Sequence, residues 1–137
     1  MAKIFFVLNL IIIIGVFSIF PVRAESAFDY MVDNLLQEKK EAQESAAKAT
    51  LATIAAAVET YKTANGEYPE SLEVLARAKP PYIEPSIARG EKQGYVFEYG
   101  VGVNRDKFSC VARPVVEKFN MKKFMIDHEG NIREFGN

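Results

Sequence analysis

The chain has 137 residues, 17 Lys and Arg against 18 Asp and Glu, one His and one Cys. That length suits one small domain with a single core. The formal charge of −1 argues against nucleic acid as a partner, and a lone cysteine excludes an intramolecular disulfide.

Met1-Ala2-Lys3 is a basic start, and Ile4 to Phe20 then runs 17 residues without a charge. Pro21 closes the apolar run, and Val22-Arg23-Ala24 follows with a small residue at its end. These are the parts of a secretory signal peptide cleaved after Ala24. The run is also close to the length of a membrane span, so an uncleaved anchor formed by Ile4–Phe20 is the alternative. Either way the chain is expected in the periplasm or outside the cell, held at the inner membrane if anchored. Cleavage leaves 113 residues and removes Lys3 and Arg23 but no acid, so the formal charge moves from −1 to −3.

Glu25 to Ala64 contains neither Pro nor Gly. Ser26 with Asp29 fits a capping box at a helix start. Phe28, Met31, Val32, Leu35 and Leu36 recur at helical spacing, and Gln37 to Lys48 is polar and alanine-rich. The apolar period resumes at Ala47, Leu51, Ile54, Val58 and Tyr61. The pattern predicts one helix of about 40 residues and about 60 Å. A domain this small, with a radius of about 13 Å, cannot cover all of it. Residues 25–48 are therefore expected to project, with Phe28, Met31, Val32, Leu35 and Leu36 as an interaction stripe for its own copies or another protein.

Asn65-Gly66 stops the helix, and Tyr68-Pro69 opens a short second one with Leu72 and Leu75 inward. Tyr82 to Gln93 reads as a loop. Tyr95 to Tyr99 is a strand with Tyr95, Phe97 and Tyr99 on its core face. Lys107 to Val116 is a second strand, weakened or placed at an edge by Pro114. Lys123–Asp127 and Asn131–Phe135 flank a hairpin turn with Gly130 at its positive-φ position. The expected class is α+β: a long N-terminal helix packed on a small antiparallel sheet of three to four strands.

Cys110 lies in the apolar run Phe108-Ser109-Cys110-Val111-Ala112 and reads as a small buried hydrophobe. No nucleophile–base pair, metal-ligand cluster or phosphate loop is visible, so no catalytic residue, metal or cofactor is expected. Asp127, Glu129 and Asn131 alternate on one loop, but Gly130 falls in the wrong place for a calcium loop of the EF-hand kind, and a plain hairpin is expected. Glu38 to Glu44 is expected to be a solvated helix face.

Ala49-Thr50-Leu51-Ala52-Thr53-Ile54, Glu59-Thr60-Tyr61 and Asn65-Gly66-Glu67-Tyr68-Pro69-Glu70-Ser71-Leu72-Glu73-Val74-Leu75 resemble the headpiece of type IV pilin-like proteins, including the pseudopilins of type II secretion. Gly94 to Tyr99, and Phe124 to Asp127 with Gly130 and Ile132, resemble the same proteins' sheet. The resemblance spans about residues 46 to 135. It implies a non-enzymatic fibre subunit in which apolar N-terminal helices bundle and headpieces decorate the outside. Segments 1–24, 25–48 and 49–137 then become signal or anchor, projecting helix and headpiece. Family members carry a short basic leader ending in Gly and a Glu five residues inside the apolar helix. Here no Gly precedes Ile4, and Gly15 is followed by Val16-Phe17-Ser18-Ile19-Phe20 without a Glu. The chain thus carries an ordinary export signal in place of the prepilin leader. The expected function is an exported pilin-like subunit or accessory protein of a type IV pilus or type II secretion-like system. The alternative is a free periplasmic binding or adaptor domain of the same fold.

Overall fold

The computed structural model describes residues 2–116 and 120–136, with side chains described from Ser26 onward. The segment Ile4–Phe20 and the cleavage site at Ala24 lie outside the described side chains. Among the described residues no helix is long and apolar enough to cross a membrane. Contacts divide the chain into two units, Met1–Lys39 and Lys40–Asn137.

The first helix, α1, runs Ala2–Asn65. It does not begin at the capping box: Ser26 and Asp29 are interior helical residues. Its stop is as the sequence predicts. Gly66 takes φ +85, its N–H donates to the Lys62 carbonyl at 2.7 Å, and the Asn65 side chain donates to the Tyr61 carbonyl at 2.8 Å. These two bonds satisfy carbonyls that a helix end leaves open. Thr50, Thr53, Thr60 and Thr63 each return their hydroxyl to the carbonyl four residues back, at 2.8–3.0 Å. That local bond lets a helix carry so many threonines without an unpaired hydroxyl.

Within the second unit, Ala47, Leu51, Ile54, Ala57 and Val58 form the buried stripe of α1. The short helix α2 spans Leu72–Arg77 and buries Leu72 and Leu75. It begins three residues later than Pro69 suggested. Pro69 is instead a buried residue whose carbonyl accepts the Tyr99 hydroxyl at 2.9 Å. The expected loop after it holds a further helical turn, α3 (Pro85–Ala88), and a two-residue strand, β1 (Glu91–Lys92).

The remaining strands are β2 (Tyr95–Val101), β3 (Phe108–Pro114), β4 (Lys123–Asp127) and β5 (Ile132–Phe135). They form one antiparallel sheet in the order β1-β2-β3-β4-β5. The fold is α+β, a long helix against a five-stranded sheet, one strand more than the upper expectation. The strand expected at an edge, β3, is the central one. Its proline is harmless because pairing with β4 ends at Ala112, two residues before Pro114. On the core face Tyr95, Phe97, Phe108, Cys110, Ala112, Phe124 and Ile126 join Leu51, Ile54 and Val58 in one buried cluster.

Two polar nodes fix the layers. The first is at the end of α1. Arg105, held at φ 53 in the β2–β3 turn, donates Nε to the Tyr68 carbonyl at 3.0 Å and pairs with Glu67 and, at 3.7 Å, with Glu70. The Tyr68 hydroxyl donates to Glu59, and the Lys62 ammonium sits 4.2 Å from its ring centre. Burial, then the Glu59 carboxylate, pushes the Tyr68 phenol up to about 12, so it stays a neutral donor. The second node is at Glu44. This residue is buried, unlike the solvated face expected of it, and its carboxylate accepts the Lys122 backbone N–H at 3.0 Å. The Tyr95 hydroxyl donates to the carbonyl of the same Lys122 at 2.9 Å. Burial, then Glu44, raises that phenol to about 12. Gly94 lies so close to α1 that a Cβ there would meet the Gln43 side chain at 2.7 Å.

Candidate interaction surface

In the first unit, Phe28, Met31, Val32, Leu35 and Leu36 fall within about 140° of arc at 100° per helical residue. Phe28 is 67 % exposed, Met31 61 %, Leu35 62 % and Leu36 41 %; Val32 is partly buried. A single exposed apolar residue is ordinary, whereas these form a contiguous exposed row on one helix face. The helix continues into a polar run, where Lys40 reaches Glu44 at 4.0 Å. Tyr30 is 69 % exposed and lies on the opposite side of the helix from Phe28. The spacing rule that picks out the stripe passes over it, because two residues along a helix turn the side chain away.

The candidate reactive groups are not brought together as a catalytic set. Cys110 is fully buried at the centre of β3, opposite Tyr99 and Ile126. Burial first, then Glu98, pushes its thiol up to about 12, so it is held as an unreactive thiol. His128 sits in the β4–β5 turn, where its backbone N–H donates to the Phe108 carbonyl at 3.1 Å.

The alternating loop residues are committed to one another. Asp127 accepts the Glu129 N–H at 2.9 Å through one oxygen and faces Arg133 at 3.4 Å through the other. The Asn131 amide reaches Glu129 at 3.4 Å. Among the described residues no group of three His, Cys, Asp or Glu is placed to hold a metal ion. Calcium should therefore leave the melting temperature unchanged. A bound ion at 100 times its dissociation constant would add about 2.7 kcal/mol. A clear shift on adding calcium, lost in Asp127→Ala, would show that this turn rearranges into a site.

No curated protein and no solved structure matches the chain. Residues 34–100 match the family model of type II secretion system (T2SS), protein G. The matched stretch runs from the last turn of the stripe through α1, the Tyr68-Pro69 corner, α2 and α3 into β2. The later strands lie beyond it. Over that stretch the chain is similar to a pseudopilin of type II secretion, and its α+β architecture is consistent with a pilin-like fold.

Proposed function

We propose that the chain is an exported, non-enzymatic, pilin-like subunit or accessory protein of a type II secretion-like or type IV pilus system, acting through protein–protein contacts. The observation that carries this reading is the exposed row Phe28, Met31, Leu35 and Leu36, which runs into the segment matching T2SS protein G. Segment 1–24 delivers the chain as a signal or anchor, 25–48 is the assembly segment, and 49–137 is the headpiece. Its site of action is the periplasm or the cell exterior.

The physical case is that an isolated helix of three or four turns is marginal in water. Each side chain of the stripe gains roughly 1.5–3 kcal/mol when fully buried. Its own copies or another exported protein supply that burial. A chain beginning at Gln43 should stay folded and monomeric. One beginning at Glu25 should self-associate, or be cut by protease before Gln43. Analytical ultracentrifugation and limited proteolysis of the two chains decide the matter. A longer chain that is monomeric and protease-resistant throughout means that the stripe is covered within the molecule, which favours a free adaptor domain.

A further inference from the structure

One end of the sheet carries a cleft that the assembly reading does not use. Gly100, Ser109 and Asp127 form a row across β2, β3 and β4, each opposite the next. With Val101, Gly102, Lys107, Phe108 and His128 they line a cleft of about 440 Å³. That volume is within the usual size for a small-ligand site, about 300–1,000 Å³.

Two glycines keep the cleft open, and the backbone does not require either of them. Neither Gly100 nor Gly102 has a positive φ. A Cβ at Gly100 would meet nothing nearer than the Ser109 hydroxyl at 3.8 Å, and one at Gly102 would sit 3.5 Å from Asp106 Oδ1. Both are ordinary contacts, so side chains would fit and would fill the space. The four other glycines from residue 90 onward, Gly90, Gly94, Gly130 and Gly136, all take positive φ, where glycine has a backbone reason to be.

The chemistry of the lining is donor-rich. The Lys107 ammonium, the Ser109 hydroxyl and the His128 ring take part in none of the hydrogen bonds or ion pairs among the described residues. Lysine and serine donate, and imidazole keeps an N–H donor in either protonation state. The one acid of the lining, Asp127, already has its oxygens on Arg133 and the Glu129 N–H. The geometry points to a binding site for a small oxyanion, a carboxylate or phosphate group, held by Lys107, Ser109 and His128 over the glycine floor. Charge-assisted hydrogen bonds from Lys107 supply most of the affinity.

The test is an NMR titration of the full-length protein in detergent micelles, with inorganic phosphate and separately with succinate, at constant ionic strength. Saturable shifts are expected at residues 100–109 and 127–128. The anion that saturates at the lower concentration identifies the preferred group, phosphate or carboxylate. Lys107→Gln should weaken binding by about tenfold or more. Gly100→Leu should abolish it by filling the cleft while the melting temperature holds. Should Gly100→Leu fail to fold, Lys107→Gln and Ser109→Ala decide. The proposal is overturned if neither anion gives saturable shifts, if Lys107→Gln leaves them unchanged, or if calcium chloride alone reproduces them.

Discussion

Phe124→Ala should lower the unfolding free energy by about 3–5 kcal/mol in a urea melt. The ring is 1 % exposed. It stands opposite Ala112 on β3 and is 6.2 Å from the Tyr95 ring centre. From α1 the Lys48 ammonium lies 5.4 Å from its own centre. The cost should fall at the high end because its cross-strand partner on β3 is an alanine. A methyl group cannot lean over to close the hole, and the cavity term depends on how far a site collapses. A loss below about 1 kcal/mol would mean that the ring occupies a site open to water.

Ile54→Ala should cost about 2–5 kcal/mol. Ile54 is fully buried in one cluster with Leu51, Val58, Tyr95 and Phe97. Its neighbour Thr53 points to solvent, so Thr53→Ala should stay within about 0.5 kcal/mol and serves as the control for helix propensity. If Ile54→Ala costs no more than Thr53→Ala, the helix presents a different face to the sheet.

What could be read in advance follows from period. The stripe Leu51, Ile54, Val58 and the alternation Tyr95, Phe97, Tyr99 are set by 3.6- and 2-residue repeats, and both faces lie where those repeats put them. The Asn65-Gly66 stop is legible because positive φ is a local demand. Glu44 is the counterexample. It closes a charged stretch that begins at Glu38, and only a strand connection far along the chain makes it a buried acceptor. Pro114 misleads for the same reason. Whether a missing N–H matters depends on where the neighbouring strand ends, which no local pattern encodes. The candidate oxyanion cleft was also hidden, since Lys107 and His128 come from two turns and Ser109 from β3, and only the sheet register brings them to one end. The glycines in Tyr99-Gly100-Val101-Gly102 were the available signal, a strand leaving its side chains off one face.

The bond between Glu44 and the Lys122 amide joins positions 78 residues apart. A helix forms in about 0.1–1 μs from local contacts, whereas contacts of long sequence separation come late. Outside α1 itself, the buried residues that share a cluster with Leu51, Ile54 and Val58 all lie beyond residue 67. A chain emerging N-terminus first would therefore present its apolar helix face to the surroundings before any strand exists to receive it. The time spent in that state grows with the delay until residue 122 arrives. Exposed apolar surface of that kind is what makes folding intermediates associate. The same helix that suits an assembling subunit thus sets a hazard during its own maturation, which ends only when the strands arrive to cover that face.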